Sequence, residues 1–239
     1  METKNHWVLA AILGISASVS QTMLMPIHDG EEYPLLILAV GLIVNAIIFS
    51  LLVQWGLRLG EDPKIPTASV LESMLNKNWH DARALFMKAL KYGISYGLVL
   101  LFTLFVVDFY YIVMIREEAV LESWRALSPL TALAFGVQAV FFQETVFRLF
   151  LFNLFASWRK SLRMGNFISS ITFGVAHIAN PGVLQLGTVT ILTVAIVNSI
   201  GGFIIGLSYE KQGWESSSIT HFIGNFVHYS TLPLFLSLF

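Results

Sequence analysis

The sequence is short of charge and has no cysteine. Among its 239 residues only 12% are Asp, Glu, Lys or Arg, about half the share of an ordinary soluble domain. The missing cysteine excludes disulfides, thiol nucleophiles and thiolate metal sites. The net charge is −1 and no long basic run occurs, so the clustered positive surface that nucleic acid binding requires is absent as well.

Apolar residues make up 56% of the chain, and the mean hydropathy is +0.71. Because about 20 apolar residues cross the hydrocarbon core of a membrane, we predict an all-α, polytopic membrane bundle in one domain over residues 1–239. The first span also resembles a signal peptide, since small residues follow its apolar run. The predicted spans, about seven, lie near 7–25, 34–57, 92–115, 128–155, 165–180, 183–209 and 215–238.

The distribution of Lys and Arg between the connecting segments predicts the orientation of these spans. If the N-terminus is cytoplasmic, the basic residues outside the spans fall in cytoplasmic segments except Arg116 and Arg125. The opposite segments are acidic, with Glu31 and Glu32 in one and Glu117 in another. Because cytoplasmic loops collect Lys and Arg, we predict a cytoplasmic N-terminus.

In the segment from Pro66 to Lys91, apolar residues recur at helical spacing, but no apolar run is long enough to cross a membrane. It predicts one amphipathic helix lying on the cytoplasmic membrane surface, and a loop helix packed on the bundle fits equally well. The apolar positions are Leu71, Leu75, Trp79, Ala82, Phe86 and Leu90.

Several polar residues stand inside predicted spans, where an ionisable group is costly unless it meets a cavity or a partner. Glu144 and Arg148 lie four residues apart on one helix face, which also fits a buried ion pair that orients helices. His177 lies in the fifth span, and His221 and Asn225 lie in the seventh. Counting about 1.5 Å per residue from the cytoplasmic ends places the carboxylate and both imidazoles at similar depths. The sequence therefore predicts one shared site.

Carboxylate, imidazole and amide groups suit hydrolysis by an activated water, with His or Asn binding the oxyanion. Zinc ligation by Glu144, His177 and His221 is a further possibility that the spacing leaves open. A transporter using these residues as a proton relay is another. Asp108 is the only aspartate in a span, so a paired-aspartate mechanism has no second member, and His228 is interpreted as a packing residue.

Four motifs, in order, resemble those of the CPBP family of CAAX prenyl endopeptidases of type II and their bacterial relatives, also called Abi proteins. They are Glu144-x-x-x-Arg148, Phe173-x-x-x-His177, a glycine-rich segment from Gly202 and Gly206 to Tyr209-Glu210, and His221-x-x-x-Asn225. The resemblance covers about residues 128–230.

The resemblance implies an intramembrane endopeptidase that hydrolyses a peptide bond of a membrane-associated peptide or a prenylated protein. It implies a site made of Gln143, Glu144, Arg148, His177, His221 and Asn225. It also implies that the protein lies in a bacterial or archaeal cell membrane. Family members are often described as metalloproteases, and a metal-free glutamate mechanism is also argued for them. Membrane lipid and the peptide substrate are the implied partners.

One residue departs from the family pattern. The first motif usually begins with two glutamates, of which the first is commonly taken as the base, and here that position is Gln143. Because an amide is no general base, either Glu144 replaces it or the site is inactive. The alternative function is a non-catalytic membrane binding protein or a bacteriocin-immunity protein that retains the pocket.

The orientation is testable because the chain provides a cysteine-free background. Single cysteines in place of Arg83 and Lys160 should react with an impermeant thiol reagent from the cytoplasmic side, and one in place of Glu31 from the opposite side. Labelling is read in intact cells and in inverted vesicles, with the unmodified chain as the unlabelled control. The reverse pattern would contradict the predicted orientation.

Overall fold

The computed structural model describes residues 3–29, 34–62 and 65–238, and these form helices and connecting turns without any strand. Glu31, Glu32 and Lys64, which entered the charge argument, lie outside the described residues. The helices are α1 Thr3–Asp29, α2 Leu35–Leu59, α3 Ser69–Leu75, α4 Trp79–Tyr110, α5 Glu118–Arg125, α6 Pro129–Gln138, α7 Asn153–Arg159, α8 Leu162–Ile178, α9 Pro181–Leu184 and α10 Thr188–Leu236.

Four helical segments of the described chain are long and apolar enough to cross a membrane, by length and composition. They contain five of the predicted spans, because α10 holds both 183–209 and 215–238. The other two predicted spans correspond to α1 and to α8, which has 17 residues. The all-helical membrane fold is confirmed, while the count of seven spans stays a prediction. The four segments are Leu35–Leu59, Trp79–Ile115, Pro129–Arg159 and Thr188–Leu236.

The prediction of one interfacial helix from Pro66 to Lys91 is wrong. The short helix α3 ends at Leu75, Lys77 takes a left-handed conformation with φ 58°, and α4 begins at Trp79 and continues into the membrane span. The Asn78 side chain accepts a hydrogen bond from the Asp81 backbone N–H and so caps the new helix. Helix α3 packs on the bundle core, as the alternative interpretation expected.

Helix α10 is interrupted at Gln212 and Gly213, where the backbone leaves the helical conformation. Gly213 has φ 72°, and a Cβ atom built there would lie 1.9 Å from the Thr67 carbonyl oxygen, so only glycine fits. The Thr67 carbonyl accepts a hydrogen bond from the Trp214 backbone N–H at 2.9 Å. The segment between α2 and α3 therefore fixes the point where the second half of α10 begins.

The helix that follows α6 widens into π turns over Ala139–Gln143 and Thr145–Phe152, with Glu144 between them. Such turns are rare and occur frequently at functional sites. Helix α2 packs closely against the second of them, since a Cβ at Gly56 would lie 2.0 Å from the Leu149 carbonyl oxygen. The backbone of α2 therefore contacts the backbone of the widened turns.

This contact predicts the effect of Gly56→Ala. The added methyl group meets backbone, which cannot rotate away, so α2 has to shift, and overpacking of this kind costs typically 1–3 kcal/mol. We expect a lower thermal unfolding midpoint in detergent, measured by circular dichroism. Gly41→Ala in the same helix is the matched control, because nothing lies within 4 Å of a Cβ there. Equal midpoints for the two variants would contradict the close packing.

Candidate active site

Glu144 is a fully buried carboxylate within a membrane-spanning segment. One carboxylate oxygen, Oε1, lies 2.7 Å from Nδ1 of His221 on α10. The other, Oε2, lies 3.7 Å from Nε of Arg148, one turn along its own helix. Both oxygens thus face groups that compensate a negative charge, which is the condition for burying an ionised carboxylate.

Arg148 is also fully buried and connects three helices. Its guanidinium donates hydrogen bonds to the Gly202 carbonyl of α10 at 2.9 Å and to the Ser169 hydroxyl of α8 at 3.3 Å. The carbonyl of Gly202 is reachable because α8 and α10 approach closely there, with Phe173 3.1 Å from a Cβ built on this glycine. The glycine-rich segment therefore serves the site by helix packing and by one backbone acceptor.

His177 reaches the same site through Phe173. Its Nδ1 lies 2.8 Å from the Phe173 carbonyl oxygen, one turn back on α8. The Phe173 ring contacts the imidazoles of both His177 and His221, at centroid distances of 4.4 and 5.6 Å, and the guanidinium of Arg148 lies over it. The predicted residues of the second and fourth motifs therefore border one aromatic ring.

Two predicted site residues are more loosely held. Asn225 lies one turn beyond His221 on α10, is partly exposed and makes no side-chain hydrogen bond with the described residues. Gln143 directly precedes Glu144, is partly exposed, and its buried Oε1 has no hydrogen-bond partner in the described structure. Amide groups without protein partners are available to a ligand or to water.

A metal site at Glu144, His177 and His221 does not fit this arrangement. No group of three or more His, Asp or Glu side chains in the described part of the chain is placed to hold a metal ion. The Glu144 carboxylate already lies between an imidazole and a guanidinium, and a divalent cation on it would face the positive charge of Arg148.

The sequence analysis missed a polar clamp beneath the site. The Tyr209 hydroxyl lies within hydrogen-bonding distance of two acceptors, the Pro66 carbonyl at 2.8 Å and Asn153 Oδ1 at 3.0 Å, and its proton serves one at a time. Asn153 Nδ2 donates to the carbonyls of Gly56 and Pro66. The position of Tyr209 in the third motif was a signal, whereas nothing local marked Asn153 as its partner. The clamp joins α2, α7 and α10 below Glu144.

A second carboxylate and imidazole pair was missed as well. Asp108 Oδ2 of α4 lies 2.5 Å from His228 Nε2 of α10, and both side chains are buried. The interpretation of His228 as a packing residue was therefore incomplete, and Asp108 has a partner. Matching the two residues by depth in their predicted spans, as was done for His177 and His221, would have suggested the contact.

Outside the spans, Glu117 joins the end of α4 to the start of α10. Its carboxylate accepts hydrogen bonds from the Thr190 and Tyr111 hydroxyls and from the Gly187 backbone N–H. The Thr190 hydroxyl, followed by the Gly187 N–H, holds the pKa of Glu117 below its ordinary value. This contact closes the end of the bundle opposite the clamp.

One comparison with known proteins found a match, and it covers the part of the chain that holds the candidate site. Residues 125–227 match the family model of the type II CAAX prenyl endopeptidase Rce1-like proteins. No curated protein and no solved structure matches the chain. The matched region begins in α5 and ends just before His228, so it includes Glu144, Arg148, His177, His221 and Asn225. The match confirms the resemblance to the CPBP family over these residues.

Proposed function

We propose that the protein is an intramembrane endopeptidase of the CAAX type that hydrolyses a peptide bond by an activated water. The contact between Glu144 and His221 carries the proposal, because a buried carboxylate bonded to one ring nitrogen is the arrangement that orients a histidine base. The family match supports a hydrolase in general, and the site geometry suggests which residues take part and in which roles.

His221 Nε2 is the general base in this proposal. The Glu144 carboxylate accepts a hydrogen bond from the Nδ1–H of His221, so the free lone pair of the ring is on Nε2. Arg148 already balances the charge of Glu144, so a neutral His221 completes a group with no excess charge in the membrane. Water held at Nε2 is deprotonated as it attacks the peptide carbonyl, and the resulting imidazolium returns the proton to the leaving amine.

His177 is the second residue that contacts the attacking water. The Phe173 carbonyl only accepts hydrogen bonds, so Nδ1 of His177 donates to it and Nε2 carries the lone pair. With both rings on Phe173, a water bound between the two Nε2 atoms would accept no proton from either and would donate to both. This double acceptor raises the nucleophilicity of the water without a metal ion.

The amides of Asn225 and Gln143 are the proposed donors to the oxyanion. Each has a side chain without a protein acceptor that competes for its N–H groups among the described residues. A donor aimed at the developing negative charge contributes typically about 10²- to 10³-fold in rate. In this chain Gln143 then serves as a donor at a position where the family commonly has a base.

The substrate of this proposal is a peptide bond in a membrane-associated peptide or in a prenylated protein. The site lies inside the bundle between the π turns that follow α6 and helices α8 and α10, and Glu144, Arg148 and His221 are buried there. The protein then acts as a multi-pass protein of a bacterial or archaeal cell membrane with its N-terminus in the cytoplasm. The excess of Lys and Arg in the predicted cytoplasmic segments, with only Arg116 and Arg125 on the opposite side, supports that orientation.

Gln143 favours a second candidate, a membrane binding or immunity protein without catalysis. An amide at the family's usual base position would leave the pocket, its charges and its aromatic walls intact while removing the group that commonly activates water. Such a protein would bind a peptide and release it uncut.

Substitutions in the pair at the centre of the site test the catalytic proposal. Glu144→Gln and His221→Gln should each lower kcat/KM for a fluorogenic peptide or a prenylated peptide by about 10²- to 10⁴-fold, because each removes the oriented base. The double variant should lose little more than either single one, since the two residues act as a unit. The assay uses the purified protein in detergent or liposomes, with and without a chelator.

His80→Gln is the matched control, because His80 is an exposed histidine paired only with the neighbouring Asp81. It should leave cleavage unchanged. Full activity in both Glu144→Gln and His221→Gln would contradict the proposed mechanism. Loss of activity on chelation, restored by a divalent ion, would contradict the metal-free arrangement.

Gln143→Glu distinguishes the peptidase from the binding protein. If His221 is the base, the native chain cleaves, and Gln143→Glu lowers the rate by about 10²- to 10³-fold, because it removes a proposed oxyanion donor and adds a like charge beside Glu144. If the native chain is a disabled peptidase, it binds peptide without cleavage, and the Glu variant gains roughly 10²- to 10⁴-fold over background. Binding is measured by peptide fluorescence anisotropy beside cleavage. We expect the first result.

A further inference from the structure

The pair of Asp108 and His228 lies outside the proposed site, yet it shares a helix with it. Both side chains are nearly inaccessible, at 4% and 5% exposure, and the bond between them joins α4 to α10. The ring of Phe105 packs on the His228 imidazole, as does the ring of Tyr229. A polar pair in such an aromatic setting costs desolvation, so its geometry has to be well defined to be retained.

His228 stands on the same helix face as the proposed site residues. It follows His221 by seven residues, about two turns or roughly 10.5 Å along α10, and Asn225 lies between them. Any rotation or sliding of this half of α10 therefore moves His221, Asn225 and His228 together. A restraint on His228 is a restraint on the proposed base and on the proposed oxyanion donor.

Another hydrogen bond joins α4 to this half of α10, from the Thr220 hydroxyl to the Gly93 carbonyl at 3.2 Å, about two turns before His228. The two helices otherwise meet there largely through apolar side chains. Cβ atoms at Gly93 and Gly97 would lie 2.6 and 3.1 Å from Ile219 and Ile223, which shows how closely the two backbones approach. Apolar contacts of this kind allow a close approach but do not fix rotation, because dispersion is not directional. A short hydrogen bond between two buried side chains is directional, and it fixes both register and rotation.

We infer that Asp108 and His228 are positioning residues that hold the second half of α10 in the register that places His221 and Asn225 for catalysis. The inference rests on the proposed peptidase function as far as rate is concerned. The placement of α10 itself is independent of that function and is measured separately.

The test replaces both members of the pair by apolar residues, as Asp108→Leu with His228→Phe. Removing both polar groups avoids leaving one buried and unpaired, so the double variant is expected to fold. We expect kcat to fall about 10- to 100-fold with KM changed less than about twofold, because a misplacement of about 1 Å costs up to roughly 10²-fold. Leu9→Ala, in the core cluster of α1 and α2, is the control that lowers stability without lowering kcat.

A cysteine pair reports the placement of α10 without any substrate. A Cβ atom at Gly136 of α6 would lie 3.4 Å from Phe226 Cβ, close to disulfide distance, so Gly136→Cys with Phe226→Cys should oxidise readily. Oxidation should become at least severalfold slower when Asp108 and His228 are replaced. A second pair, Gly60→Cys with Thr67→Cys, joins the end of α2 to the segment before α3, where a Cβ at Gly60 would lie 3.6 Å from Thr67 Cβ, and it should oxidise at the same rate in both backgrounds.

The outcomes separate the two proposals. If the native chain cleaves no substrate, the peptidase proposal fails, and the disulfide rates alone decide the positioning. Native kcat and an unchanged disulfide rate in the folded double variant would overturn the positioning role. Asp108→Asn keeps a hydrogen-bonding partner for the imidazole and should retain most of both signals. A loss in Asp108→Asn as large as in the double variant would also overturn it.

Discussion

The structure depends on keeping the ionised pair of Glu144 and Arg148 satisfied inside a membrane-spanning bundle. Neither side chain is exposed, so each charge has to be compensated within the protein. The guanidinium is met by its own helix, by Ser169 of α8 and by the Gly202 carbonyl of α10. These requirements explain why the helices converge here, why one of them widens into π turns, and why glycine lies where the backbones approach.

The same constraint bears on the chemistry. One oxygen of the Glu144 carboxylate is bonded to the imidazole of His221, and the other faces the guanidinium of Arg148. This contact places the carboxylate to orient the imidazole, which under the proposed function carries the reactive lone pair on Nε2. Under the proposed function, Gln143 therefore changes which residue acts as the base, while the contacts among Glu144, Arg148 and His221 are kept.

Helix α10 connects the parts of the molecule that the proposals use. Its first half supplies Gly202 and the clamp residue Tyr209, and its second half supplies His221, Asn225 and His228. The interruption at Gly213 lets these two halves take separate directions, and the Thr67 carbonyl fixes where the change occurs. Two pairs of carboxylate and imidazole then hold the second half, one to α6 and its continuation and one to α4.

The sequence by itself determined the membrane class and the helical fold, because long apolar runs can only be helices in lipid. It also predicted the spans and the residues of the site, because an intramembrane charge stands out. The prediction of a single interfacial helix failed at Lys77, where a left-handed residue and an asparagine cap outweigh the apolar period. Only the tertiary structure decided that Glu144 bonds His221, that Asp108 bonds His228 and that Tyr209 bonds Asn153. Such pairings depend on the rotation and register of helices far apart in the chain, and spacing along one helix carries no information about either.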